Sequence, residues 1–159
     1  MKKFLVMVIT LFGIICVGNI QDVKASNTNP KYLRTHNWYA REKSGYERWH
    51  FSLHGVFLAT KKLKARYWKT EYKIVGRPYG IGHGNAKPGW NVFGANNSDA
   101  ATYFRYKKML IDGKQMNTFQ EFEAPGPGVI GNNYIRIYTP NIKYANQIRQ
   151  INVKHWFAW

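Results

Sequence analysis

The stretch ATYFRYKKMLIDGKQMNTFQEFE, residues 101–123, contains two alternating segments joined by a turn dipeptide. In Ala101–Ile111 and in Lys114–Glu123 apolar and polar side chains alternate, which is the period of a strand with one buried face. Asp112 and Gly113, between the two segments, accept the positive φ angles of a two-residue hairpin turn. The stretch therefore predicts an antiparallel β-hairpin, and antiparallel pairing is our starting hypothesis for the rest of the chain.

Short segments with the same period occur on both sides of this hairpin. The clearest is 68–74, in which alternate residues are predicted to share one face of a strand: Trp68, Thr70, Tyr72 and Ile74. Further strands are predicted in three places: 49–53, 56–58 after a bulge at Gly55, and 134–138. Six or seven short strands with turn signals between them predict a mainly β fold, either a small antiparallel barrel or a sandwich.

One short C-terminal helix is expected to interrupt the strands. Thr139 and Pro140 suit the N-cap and the first helical position, and apolar residues recur at three-residue steps after them: Ile142, Ala145, Ile148 and Ile151. We therefore predict a helix over 140–150 and a closing strand over 151–157. The glycine-rich segments 76–89 and 124–133 are predicted to be loops.

The N-terminal segment has the pattern of a cleaved signal peptide. Two lysines precede an apolar run that is too short for a transmembrane helix, and Val23-Lys24-Ala25 offers small residues to a signal peptidase. We expect cleavage after Ala25, a flexible lead-in over 26–31, and a single β-rich domain over 32–159. Cys16 is the chain's one cysteine and lies in the predicted signal peptide. The mature chain is therefore expected to lack disulfides, thiolate metal sites and a cysteine nucleophile.

The first residues of the predicted domain resemble a known family. Tyr32-Leu33-Arg34-Thr35-His36-Asn37-Trp38-Tyr39 is similar to the "Leu-Arg-Gly-Thr-Trp-Tyr" opening of small lipocalin-like β-barrel proteins that Gram-positive bacteria secrete, from which it departs at His36-Asn37. The resemblance covers eight residues. It implies a barrel whose floor is closed by Trp38, an extracellular location, and the alternative function of binding a small apolar ligand inside the barrel.

The charge of the chain is the strongest sequence clue to its function. The whole chain has 24 basic and 8 acidic residues, a net charge of +16. Cleavage after Ala25 would remove three lysines and one aspartate, which leaves 21 basic and 7 acidic residues, a net charge of +14. Such a charge attracts polyanions and speeds their encounter with the protein.

Basic residues lie close together in two parts of the sequence, among aromatic residues. The predicted polyanion-binding residues are Lys61, Lys62, Lys64, Arg66 and Lys69 in one cluster, and Arg105, Lys107 and Lys108 in the other. Cations beside aromatic rings suit phosphate contacts and ring stacking, although the same charges could form only a solvated surface. We predict a secreted, non-enzymatic, monomeric protein without a cofactor, loosely associated with an anionic extracellular polymer such as the teichoic acid of a cell wall. An acidic protein is the alternative partner.

Three other functions remain open from the sequence. A ribonuclease-like hydrolase could combine a carboxylate, a histidine and an arginine, and the candidates are Glu71, Glu121, Glu123, His83, His155 and Arg105. An antimicrobial, bacteriocin-like function is suggested by the aromatic segment His155–Trp159. In the glycine-rich segment, His83 and Trp90 are candidates for contacting a ligand. His50 and His54 could share a metal ion, but no third ligand lies near them in sequence, so no metal site is predicted.

Overall fold

The computed structural model describes residues 26–76, 79–83, 86–95, 101–124 and 132–153, and these residues form two antiparallel β-sheets. The first sheet has the strand order β1-β2-β3-β4 and the second has the order β10-β9-β8-β7-β6-β5. The elements in chain order are α1 Lys31–Arg34, β1 Asn37–Arg41, β2 Gly45–Ser52, β3 Gly55–Lys62, β4 Lys69–Val75, β5 Tyr79–Gly82, β6 Asn91–Ala95, β7 Ala101–Ile111, β8 Lys114–Glu123, β9 Asn133–Tyr138, a 3₁₀ helix Ile142–Tyr144, and β10 Gln150–Val153. The predicted signal peptide lies outside the described residues.

The two sheets face each other across a core made largely of aromatic rings. Trp49 of β2 lies 5.3 Å from Phe93 of β6, and Phe51 of β2 lies 5.4 Å from Phe119 of β8, measured between ring centroids. One edge of the sandwich is joined by backbone hydrogen bonds between Tyr39 and Thr139. The mainly β, antiparallel prediction is confirmed, but the described strands do not close into a barrel.

The hairpin over residues 101–123 is confirmed. Strands β7 and β8 pair from Tyr103 with Phe122 to Ile111 with Lys114. Asp112 has φ of 48° and Gly113 has φ of 76°. Two consecutive positive φ angles are those of a type I′ turn, whose twist matches that of the flanking strands.

Strand β4 differs from its predicted pattern because it contains a β-bulge. Leu58 of β3 pairs with Tyr72, whereas the next residue, Ala59, pairs with Thr70, so Glu71 is an extra residue in β4. An extra residue reverses the alternation of faces along a strand. Trp68 and Thr70 therefore lie on the opposite face from Tyr72 and Ile74, and the prediction that all four share one face is wrong.

Gly55 belongs to a tight turn and not to a bulge. Ser52 pairs with Gly55, which leaves Leu53 and His54 as a two-residue hairpin turn with Leu53 exposed. A Cβ atom on Gly55 would come within 2.6 Å of the Ile74 carbonyl oxygen. Glycine is therefore needed here because β4 passes so close to the end of the hairpin.

The helix predicted over 140–150 is also wrong, since only Ile142–Tyr144 form a 3₁₀ turn there. Thr139 bridges to Tyr39 and does not cap the helix, and the Asn141 side chain accepts the Lys143 backbone N–H instead. The three-residue isoleucine spacing carries no buried helical stripe, because Ile148 is 47% exposed. Strand β10 spans Gln150–Val153 and so contains 151–153 of the predicted closing strand, whereas 154–157 lie outside the described residues. The described α-helix lies near the N-terminus instead, in α1.

Part of the predicted loop 76–89 is a strand. Within it Tyr79–Gly82 form β5, which pairs with β6 and is mostly buried. Residues 26–31, predicted as a flexible lead-in, pack against this strand, since Ser26 pairs with Ile81. Asn29 is buried, its side-chain amide donates to the carbonyls of Ser52 and Gly55, and it accepts from the Tyr79 hydroxyl. These hydrogen bonds hold the segment in place, in contrast to the prediction.

Candidate functional site

The face of the β1–β4 sheet that points away from the core is the candidate binding surface, and we call it the outer face. Trp49 and Phe51 point toward the second sheet, so strand alternation directs Arg48 and His50 outward. The pairing register arranges the outward residues in three rows across the strands: Arg41, Tyr46 and Lys61; Tyr39, Arg48, Ala59 and Thr70; and Asn37, His50, Phe57 and Lys73.

Cations on this face lie against aromatic rings. The guanidinium carbon of Arg41 is 5.0 Å from the ring centroid of Tyr46, and that of Arg48 is 4.8 Å from the ring of Trp68. The bulge in β4 places Trp68 on this face, where its ring also lies 5.9 Å from that of Tyr39. Such cation–π contacts contribute about 0.5–1 kcal/mol each at exposed sites. They also restrict the motion of the long cationic side chains.

Lys73 and His50 of the outer face also lie close to an aromatic ring, that of Phe57. The ammonium of Lys73 is 5.7 Å from the ring of Phe57, and the His50 ring is 5.7 Å from the same ring. Burial, followed by the charge of Arg48, lowers the pKa of His50, so this histidine is neutral at pH 7. The three rows contain no carboxylate, and none of the ion pairs among the described residues involves their four cations.

The first predicted cluster borders this face. Lys61 lies on it, whereas Lys62 follows on the other side of β3, and Lys64 and Arg66 lie in the connection to β4. The connection is well exposed, and Tyr67, beneath the Arg66 guanidinium, is 73% exposed. The fifth member, Lys69, forms an exposed ion pair of 3.1 Å with Glu71.

The second predicted cluster lies on the other sheet. Arg105, Lys107 and Lys108 all belong to β7, so the structure does not unite the two clusters on one sheet. Lys107 and Lys108 are exposed. The guanidinium of Arg105 stacks 4.6 Å from the Trp90 ring and its Nε donates to Gln120 at 2.7 Å, while burial lowers its pKa. Arg105 is therefore engaged within the protein.

Of the two residues predicted to contact a ligand, His83 and Trp90, the tryptophan is packed within the protein. Trp90 is 3% exposed and forms a small second core with Ile135. Nδ1 of His83 lies 3.2 Å from the Trp90 carbonyl oxygen. The structure thus places Trp90 as a packed side chain, and a ligand contact at His83 stays a prediction.

Sequence reasoning missed Arg41, Arg48 and Lys73, the other three cations of the outer face. A search for dense runs of lysine selects 61–69 and overlooks cations that are separated by aromatic residues. The available signal was the period of two in 46–50, Tyr-Glu-Arg-Trp-His, where Arg48 is flanked by two inward-pointing residues.

A second notable group of side chains lies between the two sheets. Arg136 of β9 forms ion pairs with three carboxylates, at 2.6 Å to Glu42, 2.6 Å to Glu123, and in closer contact with Glu47. The Tyr134 hydroxyl also donates to Glu123. Burial raises the pKa values of Glu42 and Glu123, while the charge of Arg136 opposes the rise. We call these residues, with the two described next, the carboxylate cluster.

Glu121 and Tyr138 complete the carboxylate cluster. Oε2 of Glu121 lies 3.0 Å from the Trp49 indole nitrogen and 2.7 Å from the Tyr138 hydroxyl, which is also 2.9 Å from Oε2 of Glu47. Burial, followed by the charge of Glu123, raises the pKa of Glu121 to about 7. Because a hydroxyl has one hydrogen, Tyr138 can donate to one carboxylate only, and the other contact needs a protonated carboxyl. The geometry thus suits a proton on Glu121.

The carboxylate cluster does not have the composition predicted for a hydrolase. Glu121 and Gln120 point to opposite faces of β8, so Glu121 faces the core while Arg105 binds Gln120 on the other face. A groove of about 380 Å³ is lined by Arg136 and Glu42, and another of about 240 Å³ by Glu47, but Glu121 lines neither. These contacts point to a structural link between the sheets.

The remaining described residues that the sequence singled out for a hydrolase or a metal site do not come together in one place. Glu71, the third carboxylate named for a hydrolase, is exposed and accepts from Thr60 at 2.9 Å. His54 lies in a turn against the Asn27 carbonyl, whereas His50 contacts Asn37. Among the described residues, no group of three or more His, Cys, Asp or Glu is arranged to hold a metal ion. His155 and the rest of the C-terminal aromatic segment lie outside the described residues.

Within the part of the chain that is described, no helix is long and apolar enough to cross a membrane. Comparison with protein-family models, curated proteins and solved structures found no match for this chain. The lipocalin-like resemblance of residues 32–39 therefore stays a prediction. In the described core, Trp38 is fully buried and its indole N–H donates to the Leu33 carbonyl at 3.0 Å.

Proposed function

We propose that this protein is a non-enzymatic binding protein for anionic, phosphate-bearing polymers outside the cell, such as those of a cell wall. The observation that carries the proposal is the outer face, where four cations, three of them pairing with aromatic rings, stand in rows without a carboxylate. These cations are Arg41, Arg48, Lys61 and Lys73.

The arrangement favours a polymer over a small anion. Adjacent strands lie about 4.8 Å apart, so cations on β1, β2, β3 and β4 are spread over roughly 14 Å. A small anion would contact one or two of them, whereas a chain of phosphates can contact Arg48, Lys61 and Lys73 together. Arg41 adds its charge at the edge of the face, where its Nη1 donates to the carbonyls of Glu42 and Gly45. The net charge, +16 for the whole chain and +14 after the expected cleavage, adds a long-range attraction that brings a polyanion to the surface.

The test is cosedimentation with purified Gram-positive cell walls, before and after teichoic acid is stripped, in 50 mM and 1 M salt. We expect binding at low salt, and its loss on stripping or at 1 M salt, where the Debye length is about 3 Å. A binding variant combines Arg48→Gln, Lys61→Gln and Lys73→Gln. A control variant combines Lys107→Gln, Lys108→Gln and Lys114→Gln, three exposed positions on the other sheet.

Both variants remove three positive charges, so they separate the outer face from the overall charge. We expect the binding variant to lose most of its affinity and the control variant to keep most of it. Equal losses would reject the outer face as the site. Binding that persists at 1 M salt would reject an electrostatic mechanism.

A further inference from the structure

We infer that the ligand which uses the whole outer face is a single-stranded nucleic acid, an inference that rests on the proposed binding of anionic polymers. A polymer of bare phosphates would use the cations alone. The face also carries aromatic rings between those cations, namely Tyr39, Tyr46, Phe57 and Trp68.

Each row of the outer face places an aromatic ring next to a cation, and the first row places a ring between two cations. In the first row Tyr46 of β2 stands between Arg41 of β1 and Lys61 of β3. The two cations are therefore about two strand spacings apart, roughly 10 Å, with a ring between them. In this order a base can stack on the Tyr46 ring or on the Arg41 guanidinium, while the phosphates on either side of the base contact Arg41 and Lys61.

The edge of the face adds an exposed ring to this pattern. Tyr67, beside Trp68, is 73% exposed, and the guanidinium of Arg66 is 5.4 Å from its ring centroid. A nucleic-acid strand that crosses the rows toward β4 would meet this third pair of arginine and aromatic ring. The stacking surface thus continues beyond the three rows into the connection between β3 and β4.

The same geometry disfavours a duplex and a fixed sequence. In a duplex the bases are stacked on one another, so aromatic rings on an open sheet face find no free base surface. Apart from the cations and the tyrosine hydroxyls, the side chains on the face that could read base edges by hydrogen bonds are Asn37, His50 and Thr70, and Asn37 already contacts His50. We therefore expect binding that depends on single-stranded bases and tolerates any sequence.

The experiment measures fluorescence anisotropy of a labelled 15-nucleotide oligo(dT) with the mature chain, 26–159, at 100 mM salt. Inorganic polyphosphate of equal charge and a 15-base-pair duplex serve as competitors. We expect oligo(dT) to bind at least tenfold more tightly than either competitor. Trp68→Leu and Tyr67→Leu should each weaken oligo(dT) binding by roughly fivefold or more, the effect of losing one stacked base, and should leave polyphosphate binding unchanged.

The matched control is Tyr144→Leu. Tyr144 also lies close to two cations, Lys143 and Lys114, but it belongs to the 3₁₀ helix and not to the outer face. We expect this variant to bind oligo(dT) like the wild type. Tyr67→Leu, at an exposed position, keeps the test decisive even if Trp68→Leu impairs folding.

The outcomes separate the two proposals. If polyphosphate or the duplex binds as tightly as oligo(dT), or if the ring variants weaken both ligands equally, the nucleic-acid inference is wrong and polyanion binding stands. If neither oligo(dT) nor polyphosphate binds, and cell walls also fail to bind, the proposed function is wrong as well.

Discussion

Replacement of Glu121 by glutamine should change how the stability of this protein depends on pH. The carboxyl lies between Trp49 and Tyr138, and burial, followed by the charge of Glu123, raises its pKa from 4.5 to about 7. Because the folded state holds this proton more tightly than the unfolded state, the stabilisation is complete below pH 4.5 and is lost as pH rises through 7.

The size of the effect follows from the two pKa values. A difference of about 2.5 units at 1.36 kcal/mol per unit gives roughly 3 kcal/mol in all, of which about 2–3 kcal/mol falls between pH 5 and pH 8. In the Glu121→Gln variant the amide cannot ionise, and an amide oxygen at the position of Oε2 can still accept from the Trp49 indole N–H and from the Tyr138 hydroxyl. The variant should therefore gain stability over the wild type by about 2–3 kcal/mol as pH rises across this range.

The assay is urea unfolding followed by tryptophan fluorescence, at half-unit steps from pH 5 to pH 8. The control is Glu71→Gln, which removes an exposed carboxylate that pairs with Lys69. Titration of His50 occurs in wild type and variant alike and cancels in their difference, whereas Glu123 interacts with the charge of Glu121, so the difference reports on this pair of carboxyls. Parallel stability curves for the wild type and Glu121→Gln would refute the assignment of a proton to Glu121.

Two further substitutions test the link between the sheets and the pairing within one of them. Arg136→Met leaves three carboxylates without their cation and should cost about 3–5 kcal/mol, measured as a lower urea midpoint; a loss below 1 kcal/mol would mean that the cluster contributes little. Gly45→Ala would bring a Cβ atom into the Lys61 carbonyl oxygen, so β2 and β3 must shift apart. We expect Gly45→Ala to lower the free energy of unfolding more than Gly113→Ala does. At Gly113 a Cβ atom would meet open space, and the substitution costs about 1–2 kcal/mol because of the positive φ. The opposite order in urea unfolding would contradict this account.

The features that the sequence predicts well are those that depend only on residues close to one another along the chain. The β7–β8 hairpin follows from alternation on either side of Asp112 and Gly113, and both residues have the expected positive φ. The bulge at Glu71 could not be predicted in this way, since it exists only relative to the pairing of β4 with β3. Strand β5 was not predicted for a similar reason. Its glycines, Gly80 and Gly82, indicate a loop in the sequence, and the segment is a strand because it pairs with β6.

The carboxylate cluster is the clearest example of a feature without a local signal. Its members come from the β1–β2 turn, from β2, from β8 and from β9, so residues as far apart in sequence as Glu42 and Arg136 are in direct contact. No spacing in the sequence groups Glu47 with Glu121. The prediction of a helix over 140–150 was wrong for the opposite reason. Its local signals were present, but Thr139, the expected N-cap, pairs with Tyr39 instead.

The two-residue period of β2 explains how one strand serves two opposite electrostatic environments. Glu47 and Arg48 are adjacent, yet Glu47 points inward to Arg136 and Tyr138, whereas Arg48 points outward to Trp68. Four of the chain's eight acidic residues lie in the carboxylate cluster, where three of them pair with Arg136 and the fourth, Glu121, has a raised pKa. Most of their charge is thus paired within the cluster, and Glu42 also interacts with the charge of Arg41 at the border of the outer face. The rows of the outer face contain cations and no carboxylate, so the field above them is positive, which supports the proposed binding of polyanions there.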